Sequence, residues 1–159
     1  ATGTILAEVA GFGMTADAGD IVAPTPDGAA RAMRAALRDA GLVPGDIGYV
    51  NAHGTGTLAN DRSESAALLQ VFAKALPPVS STKAMHGHAI GATGALEAIA
   101  CIMALTEGVL PPTVGFQAAD PDCPLDVVAN VARRARVAAV LSNAFAFGGL
   151  NAVLAFSRP

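Results

Sequence analysis

Short apolar runs alternate with longer amphipathic ones along this chain, and the alternation predicts the elements. Residues 5–9 read as a strand, followed by a Gly- and Asp-containing loop at 11–26. From Pro26-Asp27 a helix is predicted over 28–40, with Met33, Ala36 and Leu37 on one face and Arg31, Arg34 and Arg38 on another. Gly41 closes it, as a glycine just past a helix end does. Residues 47–52 read as a short buried strand that runs into the polar loop His53-Gly54-Thr55-Gly56-Thr57. A second helix is predicted over 61–75, with Ala67, Leu68, Val71 and Phe72 as its stripe, and Pro77-Pro78 breaks it. Residues 79–82 form a strand entering a second polar loop, 83–88. Gly91-Ala92-Thr93-Gly94 leads into a helix over 95–107 that is apolar almost all round, so burial on every face is expected. Residues 114–136 read as irregular, with turns at Asp120-Pro121 and Cys123-Pro124. Two further strands, 137–141 and 152–156, flank a loop at 142–151.

This order, β-α-β-α-β-α-β-β, places the chain in the α/β class. It predicts a mostly parallel, mixed five-stranded sheet with helices on its faces and the last two strands antiparallel. Function in such sheets gathers at the carboxyl ends of strands, and all three polar loops follow strands directly. A single domain, residues 1–159, is the expected organisation.

Composition narrows the function classes. With 52% hydrophobic and 14% charged residues the chain is not disordered. A formal net charge of −3 argues against a nucleic-acid partner, which wants a basic stripe. Glu97 interrupts the best candidate for a membrane span, and Asn143 and Asn151 interrupt the next, so no membrane association is expected. The first basic residue is Arg31, so no signal peptide is visible. Two cysteines, Cys101 and Cys123, make no disulfide framework, and a reducing, cytoplasmic setting is expected. The opening Ala1-Thr2-Gly3, without methionine, is read as a processed product or a piece of a longer protein.

Candidate chemistry lies in the polar loops. His53, between two glycines and two threonines, is either a surface histidine in a turn or a neutral imidazole donor where a ligand can approach the backbone closely. Lys83, His86 and His88 put one of two lysines beside two of three histidines. This is either a solvated loop, a metal site formed by His53, His86 and His88 with Glu64, or a pair of neutral hydrogen-bond donors for an oxyanion. The lysine cation opposes a metal and holds neighbouring imidazoles neutral. Gly91-Ala92-Thr93-Gly94 lacks the full phosphate-loop pattern and reads as close helix packing. Phe145-Ala146-Phe147-Gly148-Gly149 is either a hairpin with core aromatics or a mobile aromatic gate. Cys101 reads as an inert core thiol, and Cys123 has nothing near it to activate it.

Taken together, three strings in this order and spacing resemble the C-terminal half of a β-ketoacyl synthase, a condensing enzyme of the thiolase superfamily. They are Asn51-Ala52-His53-Gly54-Thr55-Gly56-Thr57; Ser81-Thr82-Lys83-Ala84-Met85-His86-Gly87-His88, continuing Gly91-Ala92-Thr93-Gly94-Ala95; and Ser142-Asn143-Ala144-Phe145-Ala146-Phe147-Gly148-Gly149-Leu150-Asn151. Pro111-Pro112-Thr113 and Asp120-Pro121 also fit, and the resemblance runs from about residue 5 to 156. It implies that His53 and His88 are the two catalytic histidines, each hydrogen-bonded to a malonyl thioester carbonyl, and that Lys83 orients the site. Thr55 and Thr57 would bind the phosphopantetheine arm of an acyl carrier protein. Phe147 would gate the acyl pocket and lend its backbone N–H to the oxyanion hole. Asn51, Glu64, Glu97, Ser142 and Asn151 match the surrounding set, where acidic groups anchor the lysine and a structural cation binds in some members. The partnership implied for Glu97 explains a carboxyl inside an apolar helix. His86 stands at a position that is not catalytic in the family.

The resemblance also implies what is missing. The nucleophilic cysteine of the family lies in an N-terminal half, which packs face to face with this half into a five-layer αβαβα sandwich. The apolar helix 95–107 would then lie between the two sheets, and alone would expose a large patch. A second polypeptide or a removed segment is therefore expected, within an enzyme that is a homodimer when complete. Catalysis needs no cofactor or resident metal beyond the carrier's phosphopantetheine and the structural cation. Ala146 departs from the glycine usual between the two phenylalanines and stiffens the loop. The expected reaction is a decarboxylating Claisen condensation in fatty acid or polyketide synthesis, and two histidines favour a chain-elongating enzyme. Rival readings are a non-catalytic chain-length partner subunit, which commonly loses this histidine and lysine set, a histidine-dependent metallohydrolase, and a carrier-protein docking module using Arg31, Arg34 and Arg38.

Overall fold

A computed structural model describes residues 3–159. Ala1 and Thr2, on which the expectation of a processed start rests, lie outside the described residues. The elements are β1 (Glu8–Ala16), α1 (Pro26–Ala40), β2 (Ile47–Asn51), α2 (Leu58–Phe72), β3 (Val79–Ser80), α3 (Lys83–His86), α4 (Thr93–Glu107), β4 (Val109–Leu110), β5 (Arg133–Arg134), β6 (Ala139–Ala146) and β7 (Leu150–Ser157). The main sheet has the order β1-β7-β6-β2-β3. β2 pairs in parallel with β3 and β6, and β7 pairs antiparallel with β6 and β1. The expected mixed five-stranded sheet is present, and the carboxyl ends of β2, β3 and β6 meet at one edge.

Period-2 alternation in β6 divides the core. Ala139, Leu141 and Phe145 join α1 and α2 on one face, with Met33, Leu37, Leu68 and Phe72. Val140 turns to the other face and packs with Tyr49, Cys101, Leu105, Leu110 and Phe156 under α4. Helix α1 begins with Thr25, whose hydroxyl accepts from the Gly28 N–H, and ends at Gly41 in a left-handed conformation.

Four expectations are corrected. The first strand runs over Glu8–Ala16, through what reads as a loop, because Gly11 and Gly13 let α1 approach. A methyl on Gly13 would overlap the Ala32 carbonyl oxygen, and one on Gly11 would fall 2.5 Å from that of Ala36. The segment after α4 is not wholly irregular: β4 and β5 form a second, two-stranded antiparallel sheet. The loop at 142–151 is a tight hairpin, with β6 and β7 paired out to Ala146 and Leu150. Helix α4 is not buried all round. Glu97, Cys101, Ala104 and Leu105 are buried, whereas Leu96, Ile99 and Met103 are exposed, since only one sheet covers it.

Ile90–Glu107 reaches 18 residues at a mean hydropathy of 1.4, long and apolar enough by those measures to cross a membrane, which the run lengths alone did not suggest. The core helix of a layered fold passes the same test. Here Glu97 sits mid-helix, buried and ion-paired, and one face rests on the sheet.

Candidate active site

Three strand ends build the site. β2 ends at Asn51 and delivers His53, which is buried. Its loop is held by Glu64 of α2, whose carboxylate accepts the His53 and Gly54 backbone N–H groups at 2.9 and 2.8 Å. Asn143 Nδ2 donates to the same carboxylate at 3.0 Å. Burial raises the Glu64 carboxyl above the ordinary glutamate range, and these bonds oppose the rise. Gly54 and Gly56 have φ of 42° and 75°, so the loop needs glycine at both positions.

β3 ends at Ser80 and delivers Lys83 as the first residue of the one-turn helix α3. The Lys83 ammonium donates to Glu97 Oε1, and both side chains are buried. Burial pushes the Glu97 carboxyl up, and the lysine pulls it down. Asn51 Nδ2 donates to Thr82 Oγ1 at 3.1 Å and ties the β2 tip to the β3 tip.

His88 follows α3. Its Nδ1 accepts the Ile90 backbone N–H at 3.2 Å and lies 3.0 Å from Thr93 Oγ1. An Nδ1 that accepts leaves the hydrogen of the neutral ring on Nε2. The Ile90 backbone is strained for this bond: φ is +50°, where a β-branched residue is an outlier.

The His53 and His88 rings meet at 5.8 Å between centroids with an interplanar angle of 83°. Burial lowers the His53 pKa to about 4, helped by the Lys83 and His88 charges, so His53 is neutral at pH 7. His53 Nδ1 is buried and has no hydrogen-bond partner among the described residues. The arrangement is two imidazoles, the buried one neutral, and one ammonium at a single edge, open on the side where residues 84–92 are exposed.

A family model described as β-ketoacyl synthase, C-terminal domain, matches residues 6–117. Nodulation protein E of Rhizobium sp. (strain N33) is 56% identical over 158 residues, covering 98% of this chain and 39% of that protein. The chain belongs to the β-ketoacyl synthase family. A 3-oxoacyl-[acyl-carrier-protein] synthase 2 of Synechocystis sp. (strain ATCC 27184 / PCC 6803 / Kazusa) is 46% identical, over 97% of this chain and 38% of its own length. The solved ishigamide ketosynthase/chain length factor superposes with a TM-score of 0.96 at 49% identity, covering 98% of this chain and 39% of that one. The chain thus spans about two fifths of the length of the curated relatives it matches.

Within this ketosynthase domain the structure gathers His53, His88, Lys83, Glu97, Glu64 and Asn51. Ser142 is buried beside Cys101 under α4. Thr57 caps α2, and its hydroxyl lies 2.9 Å from that of Thr55 at the exposed end of the loop. Asn151 lies away from the lysine: its amide donates to Asp17 Oδ1 and the Gly149 carbonyl at the turn end of the hairpin. Phe147 stands at the hairpin tip, 80% exposed, and Phe145 is the aromatic residue that reaches His53, 5.8 Å away. Asn143, Thr82, Thr93 and Ile90 were not legible as site residues, although Asn143, Thr82 and Thr93 lie inside the quoted strings. Among the described residues no group of three or more His, Cys, Asp or Glu is placed to hold a metal ion, so the three histidines do not form the ligand set of a metallohydrolase. Burial pushes the Cys101 thiol well above its ordinary range, consistent with an inert core group.

Proposed function

We propose that this chain is the C-terminal half of a β-ketoacyl-[acyl-carrier-protein] synthase and contributes two oxyanion donors to a decarboxylating Claisen condensation. The observation that carries the reading is the His53–His88 ring pair, with His53 held neutral, beside the buried Lys83–Glu97 ion pair. As a malonyl thioester loses carbon dioxide, the electrons of the broken C–C bond pass into an enolate. Its oxygen accepts hydrogen bonds from Nε2–H of His88 and of His53. For His53 this tautomer leaves a lone pair, not an N–H, unpartnered in the interior, the cheaper of the two. Removing either donor costs about 3 kcal/mol of transition-state stabilisation, a difference measurement and not an independent share. The enolate carbon attacks an acyl thioester on a cysteine of the N-terminal half; the new C–C bond forms, the C–S bond breaks and the thiolate leaves.

Burial and the Lys83 charge hold the His53 imidazole neutral, and Glu97 and Glu64 fix the lysine and the His53 loop. Asn51 and Ser142 support the β2 and β6 tips, and Asn151 supports the gate hairpin. Thr55 and Thr57 bind the phosphopantetheine arm of an acyl carrier protein. Phe147 gates the acyl pocket and offers its backbone N–H to the tetrahedral oxyanion. Asn143 Oδ1 and Glu97 Oε2 are buried without hydrogen-bond partners among the described residues. An N-terminal half covers Leu96, Ile99 and Met103 of α4, and the complete enzyme is a cytoplasmic homodimer. The intact His53, Lys83 and His88 set favours this reading over a non-catalytic chain-length subunit.

The test is incubation of the full-length protein with a malonyl-carrier thioester and an acyl thioester. Carbon dioxide release and a β-ketoacyl product support the proposal. A protein that binds both thioesters and releases no carbon dioxide is a chain-length subunit and refutes it.

A further inference from the structure

The donor pair leaves the third histidine, His86, without a task, yet its ring is bonded into the site's support. His86 Nδ1 lies 2.7 Å from the Gly87 carbonyl oxygen, so Nδ1 carries a proton and donates. Nε2 lies 3.2 Å from Thr82 Oγ1, so the neutral ring accepts the threonine hydroxyl there. Thr82 is buried, and its Oγ1 accepts from Asn51 Nδ2 at 3.1 Å. Thr82 precedes Lys83 directly, and Asn51 stands two residues before His53. The bonds His86–Thr82–Asn51 therefore brace the two loops that carry the lysine and the buried imidazole.

We propose that His86 is a positioning residue, acting through Thr82 and Asn51, and that proton uptake at His86 loosens the alignment of Lys83 with His53. This inference rests on the condensing function proposed above and adds a control to the same site. A hydroxyl has one hydrogen to give. While His86 is neutral, Thr82 gives that hydrogen to Nε2 and accepts from Asn51. Once Nε2 is protonated it donates, the threonine hydrogen must turn away, and the acceptor within reach is Asn51 Oδ1 at 3.4 Å. Asn51 then faces a changed partner at the end of β2. The charge acts in the same direction. The charged groups around His86 are Lys83, three residues earlier on the same helix turn, and Glu97 of α4, whose carboxyl a charge on His86 lowers; His88 follows two residues on, and β2 contributes the uncharged Asn51. A proton on His86 adds a second positive charge to the one helix turn that carries Lys83. Histidine is the side chain whose ordinary charge change falls between pH 5 and 8. The His53 transition, at about 4, lies below that window and does not produce the effect.

The experiment measures kcat and KM for malonyl-carrier decarboxylation by the full-length protein from pH 5.5 to 8.5, in wild type, His86→Gln and His86→Val. Glutamine keeps a partner for Thr82 and cannot titrate; valine removes the bond. His86 is exposed, and unfolding midpoints confirm that both variants fold. The expected wild-type kcat falls by about threefold between pH 8 and 5.5 at constant KM, the size of one coupled hydrogen bond. His86→Gln is flat at the high-pH rate, and His86→Val is flat and about threefold lower throughout. An active enzyme whose acid limb survives unchanged in His86→Gln overturns this inference alone. A wild-type protein that releases no carbon dioxide overturns the proposed function and this inference with it.

Discussion

If His53 is neutral in the fold and protonates readily in the unfolded chain, it must make stability depend on pH. The perturbation is His53→Gln, which keeps a polar side chain of similar reach and removes the titration. The folded pKa is about 4, against about 6.5 for a free histidine. Below 6.5 the unfolded chain takes up a proton that the folded chain refuses, so folding loses ground. The loss is absent above pH 6.5, grows as pH falls, and is complete below about 4. A shift of about 2.5 units at 1.36 kcal/mol per unit gives about 3 kcal/mol in full, of which about 2 kcal/mol has appeared by pH 5. The assay is urea unfolding of the full-length protein and of His53→Gln at pH 7.5 and pH 5. The variant should lose about 2 kcal/mol less than wild type between the two. Equal losses would refute the claim that burial and the Lys83 charge hold this imidazole neutral.

Three further outcomes follow from the packing. Lys83→Met leaves Glu97 buried and uncompensated and should cost about 3–5 kcal/mol in denaturant unfolding, whereas Lys83→Met with Glu97→Leu should recover most of it; equal costs for single and double changes would contradict a coupled pair. Phe145→Ala should cost about 3 kcal/mol because the ring is buried against His53. The exposed Phe147→Ala should cost under about 0.5 kcal/mol and change acyl loading in a thioester-labelling assay; unchanged loading removes the gate. Gly13→Ala should destabilise by about 3 kcal/mol or more, since the methyl meets the α1 backbone, while Gly45→Ala, with open space around it, should stay within about 0.5 kcal/mol. Thermal unfolding reads both.

The element order and the sheet were legible because periodicity reports burial: the stripe Ala67, Leu68, Val71 and Phe72 is buried as its spacing requires. β1 was read at 5–9 and its run to Ala16 was missed, because its two glycines are the signature of a loop, and here they serve close helix packing, which is a tertiary fact. A hairpin was one of two readings of residues 145–149, but its strands were drawn too short because Ser142, Asn143 and Asn151 look solvated; all three are buried, and the Asn143 and Asn151 amides donate to Glu64 and to the Gly149 carbonyl. β4 and β5 are two residues long, below what any period reveals. In the site, His53, Lys83 and His88 stood out by residue type and by their place after strands. Asn143, Thr82 and Thr93 did not, because a supporting role depends on which side chain a fold brings within 3 Å. Ile90 carries its part in the backbone N–H, which side-chain chemistry does not show.

The central claim is that His53 and His88 donate to one developing oxyanion, and a double-mutant cycle on carbon dioxide release tests it most directly. His53→Gln and His88→Gln in the full-length protein should each lower kcat for malonyl decarboxylation by about 100-fold, and the double variant should fall little further, because two donors to one oxygen act as a unit. Singles that release carbon dioxide at the wild-type rate, or losses that simply multiply, would contradict the account.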